Sequence, residues 1–252
     1  KTLISLTAAL SMIRDPSTQF ERVFVITSRK QQIRAFEHDL ETINTHLSAE
    51  QYSSLTLVGK ADLCPYVQAS DIGRREIYHE CMSLRDNTRD LISDQLKQRS
   101  SGTSEEAAAN LTFQAEYSSG RSPFTAGGIK SPYQSNIPSK MNTDYCPFFS
   151  RHLELQEDDD RVLESTGVQT ASDVFEAGIR EGSCPHAEMK EIHADVDVLI
   201  GNYKHVFDPT TVEAFTAGVL GDETILICDE AHGIVPEVRS QLSYDTAYGT
   251  FE

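Results

Sequence analysis

The sequence predicts an α/β fold built on a parallel sheet, and three observations carry that prediction. Short β-branched or apolar runs recur at Val23–Ile26 (VFVI), Leu55–Val58 (LTLV), Val196–Ile200 (VDVLI) and Ile225–Cys228 (ILIC). Stretches of helical period separate them, which supplies the crossovers that parallel pairing requires. The last run stops at two acids, Asp229 and Glu230. That pairing points to a metal–nucleotide site, with Asp229 holding Mg²⁺ and Glu230 handling water.

In chain order, Leu3–Ile13 is apolar on most sides and predicts a helix buried all round. It superficially resembles a signal-peptide core, but no small-residue cleavage site follows and Arg14-Asp15 close it. VFVI is a buried strand. Thr27-Ser28 then open a helix with Ile33, Phe36 and Leu40 at helical spacing, and LTLV is the second strand. From residue 60 to 194 the pattern changes, and this is read as an inserted region between the sheet segments 1–59 and 195–240. Within it CMSLRDNTRDL, opening at Cys81, has helical periodicity. Residues of about 100–140 are rich in Ser, Gly, Ala, Thr and Pro and predict a flexible insertion. Glu157–Asp160 (EDDD) predicts a solvated loop. VDVLI and ILIC are the third and fourth strands, with Cys228 a small core residue of the last, and residues 241–252 start a further region.

The chain has 252 residues, 38% of them hydrophobic, enough for a substantial core. Its 39 acids against 22 Lys and Arg give a net charge of −17. A solvated acidic surface explains this, and so does adaptation to high salt, where a Debye length of roughly 3 Å at about 1 M screens the self-repulsion. The charge disfavours a broad nucleic-acid face but leaves room for a local basic groove. No transmembrane run is present, and the chain reads as intracellular.

A metal–nucleotide site needs a phosphate loop, and no complete G-x-x-x-x-G-K-[ST] occurs. The chain does open on Lys1-Thr2 ahead of a helix and a strand. Those are the two residues that end such a loop and start the helix carrying the phosphates. Lys1 and Thr2 are therefore the candidates for nucleotide phosphates, on a chain that begins inside the loop. Asp229-Glu230-Ala231-His232 (DEAH) completes the site: Asp229 for Mg²⁺, Glu230 for the attacking water, and His232 to couple the nucleotide to a neighbouring domain.

Four of the five cysteines lie in the inserted region, 17, 65 and 38 residues apart. Three of them, Cys64, Cys146 and Cys184, precede proline; the fourth is Cys81. No C-x₂₋₄-C pair marks a zinc site, and disulfides do not suit an intracellular protein. Spacing alone leaves an iron–sulfur cluster, zinc and unligated thiols open. His79, His186 and His193 lie near these cysteines and are read as surface or supporting residues.

Together these segments resemble the XPD-type iron–sulfur DNA helicases of superfamily 2. RVFVITSRKQQIRAFEHDL (Arg22–Leu40) is similar to the family's motif Ia segment, and LVGKADLC (Leu57–Cys64) to the entry of its iron–sulfur domain. GSCPHAEMKEIHADVDVLIGNYKHVFDP (Gly182–Pro209) is similar to the segment with the fourth cysteine, and ILICDEAH to the Walker B strand. The acidic composition and long third spacer most resemble haloarchaeal members. The resemblance implies a RecA-like parallel sheet with an inserted, mostly helical or irregular cluster domain. Cys64, Cys81, Cys146 and Cys184 would ligate a [4Fe–4S] cluster. Lys1 and Thr2 would bind ATP phosphates and Mg²⁺, and Asp229, Glu230 and His232 would act in hydrolysis. Thr27, Ser28 and Arg29 match the single-stranded-DNA contacts of motif Ia, and Lys60 a basic position near the cluster and the DNA path. The implied activity is ATP-dependent 5′→3′ movement on single-stranded or forked DNA in repair, with repair-complex proteins as partners. The arch and the second motor domain are absent, so these 252 residues alone are expected to be inactive. Two other readings predict differently: a non-catalytic nucleic-acid-binding module with structural zinc, and an acidic interaction scaffold with no metal.

Overall fold

The structure is a computed structural model that describes residues 2–47, 51–69, 72–101, 145–157 and 159–242. Lys1, most of the 100–140 segment and residues 243–252, on which expectations were placed, lie outside the described residues. The chain divides into two compact units. One holds Lys1–Val58, Ser165–Thr170 and Ile192–Glu252; the other holds Gly59–Glu164 and Ala171–Glu191.

The first unit is a five-stranded sheet in the order β3-β2-β4-β1-β5, with every pair parallel. Its strands are β1 (Arg22–Thr27), β2 (Ser54–Thr56), β3 (Val168–Gln169), β4 (Val198–Asn202) and β5 (Thr224–Cys228). The β-branched run of β1 takes a central place, flanked by β4 and β5, and is buried from Val23 to Thr27. Alternation along the strands divides the two faces. Val23, Val25, Val198 and Ile200 pack under the helices α1 (Thr2–Ile13) and α2 (Lys30–His46), meeting Leu6, Leu10, Ile33, Phe36 and Leu40.

Three expectations about this unit are corrected. Helix α1 is not buried all round: Leu6, Ala9 and Leu10 are inside, while Ile4 is 76% exposed. A helix on one side of a sheet has only one stripe to bury. Strand β5 is not a core strand either; its residues are half-buried and Leu226 is exposed, because among the described residues it pairs only with β1. Cys228 is accordingly half-buried rather than a core residue. Strand β3 interrupts the region read as inserted. It has two residues, and Gly167 at φ +64° turns the chain so that its carbonyl accepts from Ser54 N–H.

Beyond β4 the chain folds back through α9 (Lys204–Phe207), where His205 is buried. Its Nδ1 accepts from the Asn202 N–H at 3.1 Å, and its carbonyl accepts from the Thr216 hydroxyl. Gly201 makes this possible, since a Cβ there would stand 2.7 Å from Nδ1. Burial lowers the His205 pKa to about 4. The folded state thus holds the ring neutral, and its contribution is complete above pH 6.5 and lost as pH falls from 6.5 towards 4. The loss amounts to about 3 kcal/mol. His205→Asn keeps an acceptor without a titrating ring, so urea unfolding from pH 7 to 4 should show a flatter decline than wild type. Parallel declines would remove His205 as a source of acid lability.

The second unit is helical among its described residues: α3 (Lys60–Leu63), α4 (Pro65–Gln68), α5 (Glu76–Ser101), α6 (Pro147–Glu157), α7 (Ala171–Glu181) and α8 (Pro185–Ile192). The helix at Cys81 therefore starts earlier than the sequence pattern suggested, at Glu76. Asp159 and Asp160 are exposed beyond α6, as a solvated loop requires.

Candidate functional site

Asp229 and Glu230 follow β5 directly. The Asp229 N–H extends the β1 pairing by donating to the Ile26 carbonyl at 2.9 Å. Glu230 then turns into the left-handed region at φ +53°, and Gly233 N–H closes the turn on its carbonyl at 2.8 Å. A non-glycine residue held there costs on the order of 1–3 kcal/mol, so its surroundings must impose it. Tyr203 does so. It is buried at the end of β4, and its hydroxyl donates to the carbonyls of both Asp229 and Glu230. Burial, then the nearby Asp229, raise the Tyr203 pKa and keep the phenol a donor. Tyr203→Phe should lower stability by about 1 kcal/mol. Urea unfolding checks this, and equal stability in the two proteins would reduce Tyr203 to packing.

Thr27, expected to touch DNA, is buried at the end of β1. Its hydroxyl lies 2.5 Å from Gln32 Oε1 and 3.4 Å from Asp229 Oδ2, so it faces the acid pair. Ser28 and Arg29 are exposed, and Arg29 is the N-cap residue of α2. Thr2 opens α1, and its hydroxyl donates to Asp39 of α2 at 2.8 Å, a contact that must open for Thr2 to meet a nucleotide. His232 is largely exposed, with Nδ1 3.2 Å from Glu230 Oε2.

In the helical unit, one cavity is lined by Cys64, Cys81, Cys146 and Cys184 together with Lys60 and Arg85. The Cys-Pro pairs explain how three of these thiols arrive. Each cysteine sits at a helix start, where proline is favoured as the first helical residue because its missing N–H has no intrahelical partner to lose. The Cys64 carbonyl accepts from Gln68, that of Cys146 from Ser150 and that of Cys184 from Glu188, which opens α4, α6 and α8. The stretch before Cys184 is set by the end of α7. Gly182 at φ +69° donates to Ile179 O, and Ser183 N–H donates to Gly178 O at 2.8 Å, a glycine-terminated helix end. Cys81 comes instead from a face of α5, where Ile77, Cys81, Leu84 and Arg85 recur at helical spacing and line the cavity. One turn on, Thr88 fixes Cys146 by accepting its N–H at 3.0 Å.

All four thiols are free. Burial pushes Cys64 up to about 11, opposed by the N–H groups of Val67 and Tyr66, although no formed cap hydrogen bond reaches its sulfur. Burial likewise raises Cys184 to about 12 and Cys146 well above the ordinary thiol value, with Cys184, Cys81 and Cys64 adding to the last. Four thiols that influence one another in one wall make a soft donor set. Among the described residues, no three His, Cys, Asp or Glu side chains converge tightly enough for a single metal ion. Four cysteines on one cavity are the donor type of structural zinc and of a four-iron cluster alike. Of the neighbouring histidines, His186 lines the cavity, His79 is exposed, and His193 belongs to the sheet unit, 5.1 Å from Phe215 between ring centroids.

Sequence reasoning missed Tyr203, Thr88, Arg85 and a buried cluster beside Cys184. In that cluster Glu188 accepts from Ser183 and pairs with His152 Nδ1 at 2.8 Å. Arg85 had a signal in its position four residues after Cys81; Tyr203 stood in the quoted segment Gly182–Pro209 (…GNYKHVFDP) but was given no role there.

The DEAD_2 family model matches residues 26–248, and the chain belongs to that family, the XPD-type helicases. It is similar to the general transcription and DNA repair factor IIH helicase subunit XPD of Schizosaccharomyces pombe. The two are 30% identical over 105 residues, 42% of this chain and 13% of that protein's length. No helix among the described residues is long and apolar enough to cross a membrane.

Proposed function

We propose that the protein is an ATP-dependent DNA helicase or translocase acting in DNA repair, moving 5′→3′ on single-stranded DNA and carrying a [4Fe–4S] cluster on Cys64, Cys81, Cys146 and Cys184. The observation that carries this reading is the acid pair at the end of β5, its turn pinned by Tyr203 on an all-parallel sheet. Membership of the DEAD_2 family supports it.

Glu230 takes the proton of the attacking water, from a half-exposed carboxylate that the turn projects beyond the sheet. Asp229, within reach of the Thr27 hydroxyl, carries Mg²⁺, and Lys1 and Thr2 take the phosphates. The ion, when bound, neutralises phosphate charge as the terminal group leaves. His232, exposed and beside Glu230, relays the state of the site to a neighbouring domain. Ser28, Arg29 and Lys60 contact the strand, and Thr27 supports them from inside. The four soft thiols that line one cavity are the donor type of an iron–sulfur cluster, which would tie α4, α5, α6 and α8 together. The acidic surface suits a high-salt cytoplasm, and repair-complex proteins are the expected partners.

The test uses the full-length protein, purified without oxygen in high salt. Iron and sulfide of about four each per chain, with ATP hydrolysis stimulated by single-stranded DNA, are expected. Zinc with no stimulation would favour the nucleic-acid-binding module.

A further inference from the structure

Arg85 reaches the thiol cavity from the same face of α5 as Cys81, one turn on. Its guanidinium carbon stands 4.1 Å from the centroid of the Phe149 ring, a cation–π contact that helps hold the side chain in place. Its Nε is shut off from solvent and has no hydrogen-bond partner among the described residues. Burying a guanidinium N–H without an acceptor is costly, so the position calls for one. A nucleic-acid phosphate arriving through solvent does not reach a buried atom, whereas a group filling the cavity does. The surroundings point the same way. Lys60 lines the cavity too, and Lys190 is close enough that Arg85 and Lys60 add to burial in lowering its pKa. In a chain of net charge −17, two cations lining one cavity, with Lys190 near them, favour an anionic occupant.

We propose that Arg85 donates its Nε–H to a sulfur of the cluster held by the four cysteines and sets the cluster's reduction potential. This rests on the cluster reading above. Net charge and hydrogen bonds to the sulfurs are what tune such potentials. One-electron reduction adds negative charge, so a neighbouring cation and donor favour the reduced form, and removing them drives the potential down.

The cluster-loaded full-length protein is titrated anaerobically with dithionite, and the reduced cluster is followed by electron paramagnetic resonance. Iron and sulfide are counted first; a wild type without them overturns the cluster reading and this inference with it. In loaded protein, Arg85→Gln should lower the ratio of reduced to oxidised cluster at a fixed potential about tenfold, a shift of 59 mV for one electron. Arg85→Lys, which keeps the charge but not the Nε–H, should fall by less. Arg89→Gln, removing an exposed arginine paired with Asp86 that also lies over Phe149, should match wild type. If Arg85→Gln does not load, the lysine variant decides: a lowered potential supports the assignment and a wild-type potential overturns it. Unchanged potential in loaded Arg85→Gln overturns it as well, and weaker binding of single-stranded DNA in that variant would give Arg85 to nucleic acid instead.

Discussion

Replacing Glu230 with glutamine should lower ATP hydrolysis by the full-length protein roughly 10²- to 10⁴-fold, the effect of losing a positioned general base. Nucleotide affinity should hold within about twofold, because the interaction removed is one made in the transition state. Glutamine has the same shape and tolerates the φ of +53° no worse than glutamate, so the turn stays in place. The Tyr203 clamp acts on backbone carbonyls and is untouched by the change. A second variant separates chemistry from strain. Glu230→Gly frees the left-handed position of its side-chain penalty and should stabilise the fold by about 1 kcal/mol, while hydrolysis is lost as in the glutamine variant. Stability gained as rate is lost is the mark of a conformation kept for activity. Near-wild-type hydrolysis by Glu230→Gln in single-turnover assays would sink Glu230 as the base.

The parts of this chain legible in the sequence were those written in side-chain period. VFVI could only be a buried strand, and Ile33, Phe36 and Leu40 could only share a helix face; both are so. Strand β3 was hidden because Val168 and Gln169 carry no period, and their pairing depends on a glycine turn and backbone hydrogen bonds. The edge position of β5 was hidden for a related reason: an apolar run reports that a strand can be buried, not what lies beside it. At the acid pair, DEAH named the carboxylates but not their support, since Tyr203 lies 26 residues before Asp229 and meets it only through the pairing of β4 and β5 with β1. The Cys-Pro pairs carried more than was read from them. Proline after cysteine fixes the cysteine at a helix start, and that local rule, applied three times, places three cysteines at the first turns of α4, α6 and α8.

Cys184→Ser should empty the cysteine site without breaking the helix it starts. Serine is among the best helix N-cap residues, so α8 loses nothing locally and Gly182 still terminates α7. The substitution exchanges a soft sulfur for a hard, poorly ionised hydroxyl, a much weaker ligand for cluster iron. Iron and sulfide should fall from about four per chain to near zero. The helical unit should then become the first part cut in limited proteolysis, because α4, α5, α6 and α8 lose their shared tie while the sheet unit keeps its own core. Cys228→Ser provides the control, since Cys228 sits half-buried in β5 and lines no part of the cavity. Full iron retention in Cys184→Ser would remove Cys184 from the ligand set. Loss of iron with an unchanged cleavage pattern would make the wild-type cluster structurally idle, and would shift its purpose to electron transfer.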